Sequence, residues 1–207
     1  MKKIQIIGLT MLTILIISCR KKDIQPVISL NGAYEQTLPL NGTYFESGAT
    51  AKDNRDGDIS DKIVISGSVD NNKTGEYRLF YNVQDQEGNK AATATRFVNV
   101  VNSADFMIGT YEATPTCTGT MTAENYHTTI TTSTSSNNEI YIKKIMYSVE
   151  DQPVIGKVSG DVVNIPTQLI GTRTISGSGT ISSGNILLDV DISGPGAYDC
   201  SINHVKL

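Results

Sequence analysis

From Ile24 onward, apolar residues recur at every second position over short spans, and the spans end at clusters of Gly, Asn, Asp and Ser. That period belongs to strands, because successive side chains of a strand point to opposite faces. The clearest span is Tyr77-Arg78-Leu79-Phe80-Tyr81-Asn82-Val83, which places Tyr77, Leu79, Tyr81 and Val83 on one face. Ile63-Val64-Ile65 and Phe97-Val98-Asn99-Val100-Val101 predict two further strand centres. No segment after Ile24 keeps a helical period, so the chain is expected to be all-β. One long apolar run, Ile4 to Ile17, stands apart from this pattern and follows Lys2 and Lys3. A cationic start before an apolar run that is short for a bilayer span is a secretory signal rather than part of the fold.

The turn clusters divide the rest. Asp and Asn turns concentrate in residues 26–101, whereas residues 110–134 hold eleven threonines. The expected boundary therefore lies between Val101 and Ala104, giving one module over 26–102 and a second over 103–207. Both are of ordinary domain size. The 207-residue chain has a formal charge of only −4, which argues against a broad nucleic-acid-binding surface.

The apolar run ends at Ile16-Ile17-Ser18-Cys19, which resembles the lipobox of bacterial lipoproteins. The resemblance implies that residues 1–18 are removed as a signal peptide and that Cys19 is lipidated, with residues 19–25 as a tether. Two or more acyl chains on one residue anchor it firmly. Acidic residues just after the cysteine favour export to the outer face in similar proteins, but Arg20-Lys21-Lys22-Asp23 is mostly basic. The expected location is the cell envelope, at the outer membrane, with periplasmic or surface exposure left open.

The first module opens with Pro26-Val27-Ile28-Ser29-Leu30-Asn31-Gly32. Gly48-Ala49-Thr50-Ala51-Lys52-Asp53, Asp56-Gly57-Asp58-Ile59-Ser60, Gly75-Glu76-Tyr77-Arg78-Leu79-Phe80-Tyr81 and Asp85-Gln86-Glu87-Gly88-Asn89-Lys90-Ala91 follow in order. The set resembles the bacterial immunoglobulin-like domain of surface proteins and some pesticidal crystal proteins. It implies a seven-strand sandwich serving as spacer or adhesion module, with no enzymatic activity. Gly75-x-Tyr77 at a strand start resembles a tyrosine corner, and Leu79 stands where antibody domains carry a cysteine, so the core pin is expected to be apolar packing. The second module resembles C-terminal β domains of uncharacterised envelope lipoproteins through Gly109-Thr110-Tyr111, Val158–Pro166, Thr174–Thr180 and Asn185–Val190. Its strand–turn–strand units suggest an antiparallel meander, either a lipocalin-like barrel or a sandwich.

With Cys19 assigned to lipid, Cys117 and Cys200 remain, near opposite ends of the second module. An even pair in an exported chain predicts a disulfide, and a meander closing on itself would bring its first and last strands together. Asp53-Asn54-Arg55-Asp56-Gly57-Asp58-Ile59-Ser60-Asp61 is the sharpest acidic run. Its spacing does not fit an EF-hand, so it reads as a turn in which carboxylates bind local amides, and calcium is expected to affect residues 24–102 little. No metal, cofactor or catalytic residue is predicted. Gly156-Lys157-Val158-Ser159-Gly160 and Gly177-Ser178-Gly179 read as inter-strand turns rather than nucleophile elbows. Tyr34, Tyr44, Phe45, Tyr126 and Tyr198 sit near expected turns and read as packing rather than a sugar-stacking platform.

The expected function is a non-enzymatic, lipid-anchored envelope protein. Its immunoglobulin-like module spaces a C-terminal β domain that binds a glycan or another envelope protein; nucleic acid is not an expected partner. Two alternatives stand beside it. One is a small hydrolase in the second module using His127 or His204. The other is a carrier of a small apolar ligand inside a lipocalin-like barrel.

Overall fold

The computed structural model describes residues 22–118, 123–146, 152–194 and 197–207. The signal segment and Cys19 lie outside the described residues. Among those residues there is no α-helix and no helix long and apolar enough to cross a membrane.

The first module is a seven-stranded sandwich. Strands β1 (Val27–Leu30), β3 (Ala49–Asp53) and β4 (Gly57–Asp58) form one sheet, in the order β1-β3-β4. Strands β2 (Glu35–Pro39), β5 (Val64–Ser66), β6 (Gly75–Asn82) and β7 (Ala94–Val101) form the other, in the order β2-β7-β6-β5. The alternation expected of residues 77–83 holds: Leu79, Tyr81 and Val83 are buried and Tyr77 is half-buried. The Tyr77 hydroxyl donates to the Lys73 carbonyl at 2.8 Å, which is the tyrosine corner. Ala51, Ile59 and Val83 form a small apolar cluster.

The pin between the sheets is not apolar packing alone, which corrects the expectation. On β7, Arg96 alternates in phase with Val98 and Val100, and all three side chains are fully buried. The Arg96 guanidinium donates to the carbonyls of Ala33 at 2.7 Å, Asn31 at 2.8 Å and Gly48 at 3.0 Å, and to the Tyr81 hydroxyl at 3.0 Å. Glu46 completes the group, with its Oε1 3.4 Å from Arg96 Nε and accepting from Tyr81 at 2.5 Å. Burial alone would raise the Glu46 carboxyl, but bonds from Tyr44, Tyr81 and the Gly48 N–H, together with the Arg96 charge, hold it below its ordinary value.

The second module is a closed up-and-down barrel of eight antiparallel strands. They are β8 (Gly109–Cys117), β9 (Tyr126–Thr132), β10 (Glu139–Ile142), β11 (Val154–Ser159), β12 (Val162–Ile170), β13 (Arg173–Ser182), β14 (Asn185–Ser193) and β15 (Tyr198–Lys206). The seam closes where β15 pairs with β8, with Cys200 directly opposite Cys117 and a disulfide joining them across 83 residues of sequence. β8 opens as β6 does, with Gly-x-Tyr, and the Tyr111 hydroxyl donates to the carbonyl four residues back, Met107, at 2.8 Å. The interior positions of β14 are apolar: Ile186, Leu188, Val190 and Ile192 are buried, while Leu187, Asp189 and Asp191 face out.

Two local features keep the wall closed. Gly177 and Gly179, expected in a turn, lie in the middle of β13. A Cβ there would sit 2.2 Å from the Asp189 carbonyl oxygen and 2.4 Å from that of Leu187, so only glycine lets the backbones approach this closely. On β12 the register shifts between Ile165 and Gln168, where Pro166 supplies no N–H. On the other side of β12, past the last β11 pair Lys157–Asn164, the Gln168 side chain extends the contact with β11, accepting from Ile155 N at 2.9 Å and donating to Ile155 O at 2.8 Å.

Candidate functional site

Three places combine geometry with chemistry: the joint between the modules, the wall and far rim of the barrel, and a carboxylate cluster at the start of the first module. The joint is polar and dense. Asn102, directly after β7, is buried and uses both ends of its amide. Its Nδ2 donates to the carbonyls of Ser133 and Ser136, each at 2.9 Å, and its Oδ1 accepts from the N–H groups of Ala104 and Asn138, each at 2.9 Å. The 133–138 loop, between β9 and β10, is thereby fastened to the end of β7. From the first module, Asn41 Oδ1 accepts from Asn137 N at 3.1 Å and Thr74 N donates to Thr134 O at 3.0 Å. Asn137 Oδ1 in turn accepts from Ser103 N at 2.8 Å. Asn41 and Asn138 both adopt positive φ (64° and 60°), which asparagine tolerates better than most residues.

The up-and-down order sends alternate connections to opposite ends of the barrel. The joint end carries the 133–138 loop and the two-residue turns 160–161 and 183–184. Strands β8, β10, β12 and β14 run to the far end, where the two-residue turn 171–172 joins β12 to β13. On the outer wall, Asn164, Thr167, Ser176, Ser178, Asp189 and Asp191 line a groove of about 460 Å³. A second cleft of about 590 Å³, in the first module, lies beside Lys62, Val64 and Lys90.

The candidate catalytic histidines are separated. His127 is exposed on β9, opposite Glu112 of β8. His204 is fully buried inside the barrel, with neither ring nitrogen hydrogen-bonded and Tyr111 edge-on at 6.5 Å between ring centroids. Burial lowers its pKa to about 4, so it is neutral at neutral pH. Tyr111, Ile130, Ile140, Ile142, Ile165 and Ile202 occupy the same interior, where an apolar cargo would have to lie. The aromatic set divides as well. Tyr126 and Tyr198 are buried, and the Tyr126 hydroxyl bonds the Ile145 carbonyl; Tyr34 and Phe45 are exposed.

The acidic run forms the expected turn. Asp53 Oδ1 accepts from Arg55 N at 2.7 Å and Asp56 N at 2.8 Å, and Asp58 Oδ1 accepts from Ser60 N at 3.0 Å. The sequence did not join to it two distant carboxylates, Asp23 and Asp85, that pack against Asp53. Nor does the start of the described chain hang free as a tether. Ile24 N donates to Asn54 Oδ1 at 3.2 Å and Asn54 Nδ2 to Lys22 O at 2.8 Å.

Residues 28–100 match the family described as bacterial surface protein, Ig-like domain. The first module is thus an immunoglobulin-like domain of the kind found in bacterial surface proteins, and that kinship fits an envelope location. Among solved structures, the chain is similar to a lipoprotein of Bacteroides thetaiotaomicron, with 18% identity over 88% of this chain and 100% of that one and a TM-score of 0.38. It is also similar to the CBM51-2 and INT domains of Clostridium perfringens ZmpB, solved in complex with GlcNAc. There the identity is 15% over 87% of this chain and 44% of that one, with a TM-score of 0.32. No curated protein matches the chain.

Proposed function

We propose that the protein is a lipid-anchored, non-enzymatic display protein of the bacterial envelope. Cys19 carries the lipid at the outer membrane, the immunoglobulin-like module is a rigid spacer, and the barrel is the element that meets a ligand. The observation that carries this reading is the Asn102 joint. A flexible linker would let the barrel turn freely, whereas a buried amide with five backbone partners supports one set orientation of the barrel on the end of β7. The polar groove lies along the middle of the outward wall formed by β12, β13 and β14, open to the side of the barrel. Hydroxyl, amide and carboxylate groups line the groove and no basic side chain does, which suits a neutral polyhydroxylated ligand, a glycan, better than an anion. Two features favour binding over hydrolysis or transport: His204 is walled off from solvent, and the barrel interior is filled by the chain's own side chains.

Asn102→Ala tests the joint. Both modules of the unaltered protein should tumble with one rotational correlation time in NMR relaxation. In Asn102→Ala the two should separate while each keeps its fold; a single unchanged correlation time would refute the rigid spacer. Cys19→Ser tests the anchor. The variant should lose lipid label and leave the membrane fraction, and its soluble form should be retarded in gels containing a neutral polysaccharide. A Cys19→Ser protein that still carries lipid removes the anchor from the reading, and migration indifferent to polysaccharide removes the glycan.

A further inference from the structure

The carboxylates of Asp23, Asp53 and Asp85 come from three separate segments: the stretch before β1, the end of β3 and the loop after β6. One oxygen of each lies within 4.8 Å of the others. That spacing allows all three to reach one ion at ordinary calcium–oxygen distances of about 2.3–2.6 Å. Asp53 is only 9% exposed; its Oδ1 is held by the Arg55 and Asp56 amides, which leaves Oδ2 buried with no hydrogen-bond partner. Asp23 Oδ1 is likewise buried and unpartnered.

The compensation around the cluster is thin. Asn89 Nδ2 bridges Asp23 Oδ2 at 2.7 Å and Asp85 Oδ2 at 2.8 Å, and Asn89 N holds Asp85 Oδ1 at 2.7 Å. Arg55 supplies a cation 3.7 Å from Asp23, but its closer contact is Glu87 at 2.9 Å. A buried carboxylate oxygen with no donor, beside two more carboxylates, is an arrangement that a cation completes.

We propose that Asp23, Asp53 and Asp85 form a divalent-cation site, selective for calcium, that fastens the segment entering β1 to the end of the sandwich. The donor set is all oxygen with neither histidine nor cysteine, which favours a hard cation. Carboxylates drawn from three separate segments suit calcium, which accepts irregular coordination and water, better than magnesium, which demands a near-ideal octahedron. Asp23 lies four residues after Cys19. An ion here would therefore set the stiffness of the chain where it leaves the anchor, and it reverses the expectation that calcium leaves the first module unaffected.

The test uses the full chain in detergent, stripped with EDTA and titrated with calcium chloride by calorimetry and thermal unfolding. One saturable site is expected, with a dissociation constant on the order of 10⁻⁴ to 10⁻³ M as in extracellular modules. The first module's midpoint should rise with calcium and fall back with EGTA. Asp23→Asn is the cleanest variant because Asp23 lies outside every strand. It removes one of three mutually repelling carboxylates, so it should raise the calcium-free midpoint while weakening binding by about tenfold or more, since affinity follows ligand charge. Asp85→Asn should weaken it similarly. No saturable heat, or unaltered affinity in Asp23→Asn, would overturn the site; an equal response to magnesium chloride would overturn the assignment to calcium.

Discussion

Replacing Arg96 with Met should cost the first module about 3–5 kcal/mol, the range seen when one member of a buried, hydrogen-bonded charge group is removed. The methionine fills a similar volume but leaves the carbonyls of Asn31, Ala33 and Gly48 without their donor and Glu46 beside no cation. A domain of this size has about 5–15 kcal/mol of stability in all, so the loss is a large fraction of it. At roughly 4–8 °C per kcal/mol, the module's midpoint should drop by at least about 12 °C, while the barrel transition stays put. Arg96→Lys should recover only part of the loss, because an ammonium cannot fork to three carbonyls and a phenol together. A midpoint change of about 2 °C or less in Arg96→Met would show that the group is not the pin of this sandwich.

Reduction of the Cys117–Cys200 bridge should cost the barrel about 2–4 kcal/mol. The bond ties the first strand of the barrel to its last, and in the chain-entropy account its weight comes from the long loop it closes in the unfolded chain. The Cys117→Ala/Cys200→Ala double variant should reproduce the loss. The first module holds no cysteine and should unfold as before. Thiol labelling of the denatured, unreduced protein exported to the periplasm supplies the direct check. Two reactive thiols from Cys117 and Cys200 would mean that the seam is held by its ladder alone.

Period-two patterning made the central strands legible, because a half-buried strand writes its inward face into every second residue. Residues 77–83 and 97–101 carry this pattern, and Gly75-x-Tyr77 marks a corner that the hydroxyl of Tyr77 makes. The same pattern carries a second signal. Arg96 occupies the inward phase of Val98 and Val100, and an arginine on an apolar face demands partners. Its partners, Glu46 and the carbonyls of Asn31, Ala33 and Gly48, lie 48 to 65 residues away and leave no local trace. Barrel and sandwich stayed unresolved for a related reason: closure depends on register and tilt across eight strands, which alternation alone does not encode. Gly177 and Gly179 looked like turn residues because close approach between strands and a reversal of the chain both select glycine. The carboxylate cluster was invisible since Asp23, Asp53 and Asp85 are each unremarkable in their own segments, and only packing assembles them.

The pairing of β2 with β7 has a mechanical meaning. The two strands run parallel, Glu35 opposite Phe97 through Pro39 opposite Val101, and they lie near the entry and the exit of the first module. A pull between the start of the first module and the barrel acts on this pair lengthwise, in opposite directions on the two strands. Their hydrogen bonds lie across that line of force, so the ladder is loaded in shear and its bonds share the tension instead of opening one after another. Beyond β7 the load passes straight into Asn102, whose amide is fastened to Ala104, Ser133, Ser136 and Asn138 of the second module. A module built this way is suited to carry tension along its length without lengthening.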